Sequence, residues 1–251
     1  MIVYLAVTTL NYAPYDILKG ADILSSYYYC RKDAKMINAI PTMRNFMLDS
    51  GIFTFINSGT RVDMDRYIHE YADFIKANNI KQYVELDVDQ IEGVRATRRI
   101  RDRLESLVGY PSIPVWHSVR GKESFLADCR DYSYICLGYF LTEGLSTAIT
   151  EKYAPWFIDK AHENGCRIHG LGFTKTTLLP RFHFDSVDSS TWSSGKRYGC
   201  LNVFDREKKV MKIQGRPKNK RISSMQGIEL YNYNQWRMYQ DYAKKNIPII
   251  W

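Results

Sequence analysis

The chain lacks the features that would place it outside a reducing, aqueous compartment. Its five cysteines, Cys30, Cys129, Cys136, Cys166 and Cys200, are scattered, with no Cys-x-x-Cys and no paired His/Cys spacing. That pattern argues against a zinc ribbon and against a disulfide framework. No apolar run approaches the roughly 18 residues of a membrane span, and the apolar opening from Met1 to Thr8 is too short for a signal-peptide core. A cytoplasmic protein with no membrane partner is expected. No Gly-x-Gly-x-x-Gly follows an apolar run and no phosphate loop occurs, which counts against nucleotide-binding open sheets. Repeats, low-complexity tracts and linkers are also missing. The 251 residues therefore read as one domain over 1–251, long enough to bury a sizeable core.

Acidic residues are in short supply: 35 Lys and Arg face 27 Asp and Glu, a net charge of +8. A surplus of that sign points towards a polyanionic partner. It is concentrated in two places. A segment from about Gly93 to Val108 carries Arg95, Arg98, Arg99, Arg101 and Arg103. From Lys196 to Arg221, ten basic residues meet only Asp205 and Glu207. The expected phosphate-backbone contacts are Arg95, Arg98, Arg99, Lys196, Arg197, Lys208, Lys209, Arg216, Lys218, Lys220 and Arg221.

What is present in quantity is the alternation of strand-like and helix-like stretches. Ile2 to Val7, Phe46 to Leu48, Gln82 to Leu86, Ile113 to Ser118, Tyr134 to Gly138, Arg167 to Gly172 and Phe184 to Val187 read as strands, with Cys200 to Phe204 as an eighth. Between them lie a mixed helical stretch from Pro14 to Lys35, an amphipathic helix from Asp63 to Asn78, and helices over Gly93–Val108 and Tyr153–Asn164. Residues 196–225 read as a basic insertion or loop, and 226–245 as a terminal helix. Eight strands alternating with helices predict an α/β fold, a closed (β/α)8 TIM barrel, with an open doubly wound sheet as the competing arrangement.

Several of these strands end in polar residues: Asp49, Asp87 with Asp89, His117, Glu143, His169 and Asp188. A barrel brings such ends to one mouth, where several carboxylates together are costly unless they do chemistry or bind a metal. Asp87 and Asp89 share a face if the strand is regular, so the pattern leaves open which of them would touch a ligand. A metal-dependent barrel hydrolase built on the same carboxylates is one alternative.

Six of these segments, in order, resemble the tRNA-guanine transglycosylases and their phage and bacterial relatives that insert 7-deazaguanines into DNA. Leu48-Asp49-Ser50-Gly51-Ile52-Phe53 is similar to the family's Asp-Ser-Gly-Gly-aromatic segment, with Ile52 in place of the second glycine. Leu86-Asp87 stands at the base-recognising aspartate, and His117 replaces a glutamine. Leu137-Gly138-Tyr139-Phe140-Leu141-Thr142-Glu143-Gly144 resembles the glycine-rich loop, and His169-Gly170-Leu171-Gly172 the Met-Gly-x-Gly segment. Asp185-Ser186-Val187-Asp188 resembles the Asp-x-x-Asp of the nucleophile. The family's zinc motif has no counterpart, so no cofactor or metal is expected.

The resemblance implies exchange of guanine in DNA for a 7-cyano- or 7-aminomethyl-7-deazaguanine base through a covalent aspartyl intermediate. Asp188 would be the nucleophile and Asp49 the general acid/base. Phe53 and His169 would sandwich the base, while Asp87, His117, Gly138, Tyr139 and Glu143 would read its edge. DNA is the implied partner and tRNA the alternative. A non-catalytic nucleic-acid-binding barrel subunit remains a further reading.

Overall fold

The computed structural model describes residues 1–57, 63–138, 147–215 and 224–250, leaving aside the side chains of 53, 56, 57, 147–151, 194 and 196–198. Seven parallel strands form one curled sheet: β1 (Ile2–Ala6), β2 (Asp22–Ser26), β3 (Asn45–Asp49), β4 (Val115–Trp116), β5 (Tyr134–Leu137), β6 (Arg167–Gly170) and β7 (Ser186–Ser189). Their order is β3-β2-β1-β7-β6-β5-β4. Because β1 pairs with β7 as well as β2, the first and last strands meet in mid-sheet, as they do in TIM barrels.

The architecture is TIM-barrel-like, but it is not the regular closed eight-strand barrel expected. The predicted strand from Gln82 to Leu86 contributes only single bridges, Tyr83 to Leu48 and Val84 to Ile113. Four backbone bonds of 2.8–3.1 Å hold this seam between the edges β3 and β4, among them Val84 N–H to Leu48 O and Ile113 N–H to Tyr83 O. The Tyr71 hydroxyl sits at 3.0–3.1 Å from the carbonyls of Leu48 and Val84 and ties the two sides together. Beyond Glu85 the chain leaves the ladder, since that side chain turns into a buried ion network described below.

Two further expectations are corrected. The stretch from Pro14 to Lys35 is not helical throughout: β2 lies inside it, after a break at Gly20, whose φ is +66°. The predicted eighth strand exists as β8 (Leu201–Asp205), but it pairs antiparallel with β9 (Val210–Gln214) in a separate hairpin. That hairpin packs on the terminal helix Met225–Asn246, with Asn202 N–H donating to Asn232 Oδ1 at 2.7 Å and Phe204 N–H to Gln235 Oε1 at 2.8 Å.

The period-two alternation of the strands sorts side chains into two layers. Outward residues such as Leu5, Ile23, Leu48, Ile135, Ile168 and Val187 join helix residues in the larger core. Inward residues, Tyr4, Leu24, Met47, Val84, Val115, Tyr134 and Cys136, form the barrel filling. The terminal helix fastens the strands' amino ends: Gln240 Nε2 donates to Val3 O at 2.7 Å and Asp22 O at 2.8 Å. The Arg44 guanidinium also caps the wholly buried Asp22 there. No described helix is long and apolar enough to cross a membrane.

The turn after β3 requires its glycine. Gly51 has φ +70°, and a Cβ placed there would lie 2.2 Å from Ser26 Oγ, the atom that caps the Tyr28 amide. Gly51→Ala should therefore destabilise the fold by about 2–4 kcal/mol, combining left-handed strain with displacement of Ser26. Urea denaturation of the two proteins measures this directly.

Candidate active site

The inward-facing positions nearest the carboxyl ends of the strands are polar. Asp49 ends β3, and its Oδ2 accepts from Gly51 N–H at 3.0 Å. Burial raises its carboxyl to about 6, the Gly51 amide opposes the shift, and the charges of Asp188 and Asp87 add to it. Asp188 lies two residues after Ser186 on the same inward face of β7. Its Oδ1 accepts from Gly172 N–H at 2.5 Å and stands 3.3 Å from His169 Nε2. Asp188 thus has the Gly172 amide and the His169 ring at a single oxygen, while Asp49 accepts from Gly51.

Across the mouth a second group is organised around Arg120, a residue the sequence pattern did not single out. Its guanidinium binds both oxygens of Asp89, donates to Glu85 Oε1 at 2.9 Å and approaches Asp87 at 3.9 Å. Glu85 also accepts from Val115 N–H at 2.6 Å and lies 3.8 Å from Arg101, which in turn pairs with Asp128 at 3.3 Å. Four carboxylates here face two guanidiniums and the His117 ring. Burial pushes Glu85 up to about 7 against the pull of both arginines. His117 Nε2 sits 2.5 Å from Asp87 Oδ2. Burial works against a charged ring, yet the hydrogen bond and charge of Asp87 outweigh it and raise His117.

Asp87 and Asp89 differ in exposure. Asp89, at the start of the helix Asp89–Glu92, is 0 % exposed at its side chain and held by Arg120, whereas the Asp87 side chain keeps 29 % of its surface open. Gly138 is placed for a different reason than expected. Its amide donates to Trp116 O at 2.9 Å, so it is not free to read a ligand edge. A Cβ there would come within 2.5 Å of the His117 ring, so the glycine makes room for that ring.

His169 does not provide the expected stacking surface: it is 0 % exposed inside the barrel. The side chain of Phe53, and Tyr139 and Glu143 entirely, lie outside the described residues. Asp185 accepts from Ile168 N–H at 2.8 Å and pairs with His162 at 3.0 Å, a structural role. Among the described residues no three His, Cys, Asp or Glu side chains gather to hold a metal ion.

The described basic residues differ in exposure. Arg95, Arg98 and Arg99 are exposed on the first half of helix Val94–Val108, whereas Arg101 is buried against Glu85 and Asp128. Lys208 and Lys209 occupy the β8–β9 turn; Lys209 stands over the Tyr242 ring near the end of the terminal helix, on the side of the strands' amino ends. The side chains of Lys196 and Arg197, and Arg216, Lys218, Lys220 and Arg221 entirely, lie outside the described residues. A cleft of about 1080 Å³ between the β1–β2 connection, the stretch from Lys35 to Thr42 and Gln226 contains none of the strand-end carboxylates.

No family model and no curated protein matches the chain. A crystal structure assigned to a fructose-1,6-biphosphate aldolase of Coccidioides immitis is similar over 98% of this chain and 89% of its own, with a TM-score of 0.56 and 12% identity. At that identity the likeness speaks for the fold alone. The expected guanine transglycosylase, acting on DNA or tRNA, is corrected by these findings: the match is an aldolase-class barrel, and nothing found carries base exchange, 7-deazaguanine or a phage origin. The structure adds a physical reason, since His169 and the Gly138 amide are both engaged internally.

The raised carboxyl of Asp49 has a measurable consequence. Between its ordinary value of 3.8 and about 6 the fold retains a proton that the unfolded chain has released, so stability falls as pH rises through that window. Asp49→Asn keeps the acceptor for Gly51 and removes the charge. It should stabilise the protein by about 1–3 kcal/mol at pH 8 and by almost nothing at pH 4, read from denaturant melts at the two pH values.

Proposed function

We propose that the chain is an acid–base enzyme whose substrate is uncharged or cationic and rich in hydrogen-bond donors. The observation that supports this is the unequal pair at the mouth. Asp188 is stabilised by the Gly172 amide and the His169 ring, and Asp49 is buried with its carboxyl raised to about 6. A carboxyl that keeps its proton to about 6 beside a second, hydrogen-bonded carboxylate gives one site both an acid and an acceptor. Asp188 carries the charge that faces the reacting carbon; Asp49 holds the proton that is delivered and recovered. Asp87, backed by His117, accepts from a donor on the substrate.

The chemistry of the aldolase named above is not carried over. None of the seven strands of the sheet bears a lysine that could form a Schiff base. A sugar bisphosphate needs cations, and Arg120 and Arg101, the buried guanidiniums described beside this mouth, are already engaged by Asp89, Glu85 and Asp128.

The test is turnover of a mixed panel of amines, amidines, polyols and sugar phosphates, followed by NMR. A neutral or cationic member should be consumed, with kcat falling as pH rises past about 6, where Asp49 loses its proton. Asp188→Asn should reduce the rate at least about 100-fold. Turnover confined to sugar phosphates, or full activity in Asp188→Asn, would overturn the assignment.

A further inference from the structure

The filling of the barrel contains a polar line that the two-carboxylate reading does not by itself require. Tyr134 opens β5, Ser186 opens β7 and His169 lies on β6 between them, all three facing inward and all buried. The pairing register explains their proximity, because His169 stands opposite both Cys136 of β5 and Ser186 of β7. The Tyr134 hydroxyl meets Ser186 Oγ, Ser186 Oγ lies 2.5 Å from His169 Nδ1, and His169 Nε2 faces Asp188 Oδ1 at 3.3 Å. The ring of Tyr4 lies against His169, with centroids 5.9 Å apart, and the Arg167 guanidinium covers the far face of the line, 4.4 Å from the Tyr134 ring centre.

We infer that Tyr134, Ser186 and His169 form one directed hydrogen-bond chain through the barrel interior, which positions Asp188 at the mouth. The direction follows from the ends. A carboxylate accepts and cannot donate, so a neutral His169 must present N–H at Nε2, leaving Nδ1 as an acceptor. Nδ1 then takes the Ser186 hydroxyl proton, and Ser186 Oγ in turn accepts from Tyr134. Tyr134 supplies the proton that starts the chain, and burial keeps its phenol protonated by raising its ionisation well above the ordinary value. Reversing the chain would set a bare Nε2 lone pair against the Asp188 carboxylate with nothing to separate them.

These three residues are positioning residues, since none of them reaches the reacting atoms. Their joint effect is to hold Oδ1 in the place where it also receives the Gly172 amide, so that Oδ2 is the oxygen left to act on a substrate. The inference rests on the proposed role of Asp188 for its purpose, while the chain itself can be read without any substrate.

The first measurement is a long-range 1H–15N correlation of the His169 ring in the intact protein. A single Nε2–H tautomer is expected; an Nδ1–H tautomer overturns the chain before any variant is made. Ser186→Ala should keep the Nε2–H tautomer, which Asp188 fixes, but move the Nδ1 nitrogen signal downfield as its hydrogen bond is lost, and Ser186→Thr, which keeps the hydroxyl, should move it back. An unmoved Nδ1 signal in a folded Ser186→Ala protein would also overturn the chain. Once a substrate is in hand, Ser186→Ala should lower kcat about 10- to 100-fold with little change in KM. A correct tautomer combined with full activity in Asp188→Asn would overturn the role of Asp188 and leave the chain standing, which separates the two failures.

Discussion

Charge balance below the mouth constrains the rest of this molecule. Glu85, Asp87, Asp89 and Asp128 surround only Arg101 and Arg120, in a space where an unpaired charge is far more costly than in water. Burial raises Glu85 to about 7 against the pull of both arginines, and the hydrogen bond and charge of Asp87 raise His117 against its burial. On the other side of the mouth burial raises the Asp49 carboxyl, and the charges of Asp188 and Asp87 add to it. A site in which several groups retain protons near neutrality is already equipped to give and take them.

The same constraint shapes the barrel. An interior filled by branched aliphatic side chains would be the simpler packing solution. Here one side of the filling is apolar, with Leu24, Met47, Val84 and Val115, and the other is lined by Tyr134, Ser186, His169 and Asp188. A polar line of that kind is tolerated only when each member has its partner. The irregular seam at Tyr83 and Val84 is a further compromise: the segment gives up a full ladder where Glu85 must turn to Arg120.

The similarity to guanine transglycosylases rested on short strand-end segments, and the structure accounts for why such segments recur. An apolar strand followed by a carboxylate and a glycine places an acceptor at the mouth and lets the chain turn sharply into the next helix, as Asp49 and Gly51 do. Barrels of unrelated activity need the same device. A likeness in those places therefore reports the architecture before it reports the reaction.

Local pattern by itself determined the strands β1, β3, β5 and β6, the helices Met64–Ala77 and Val94–Val108, the terminal helix, and the placing of Asp49 and Asp188 at strand ends. Each depends on periodicity and turn chemistry within about 15 residues. Signals for more were present: Ser186 and Asp188 two apart, and Glu85 alone in an apolar run, which as a buried acid demands a partner. Only the tertiary structure decided that Asp22 to Ser26 pairs as a strand, that the Leu201 strand folds back in a hairpin, that Asp87 rather than Asp89 stays open, that Arg101 is internal, and that His169 is a buried link. Those outcomes depend on which residues from distant segments arrive as partners, as Arg120 does for Asp89 and Ser186 for His169, and long-range pairing leaves no local trace in the chain.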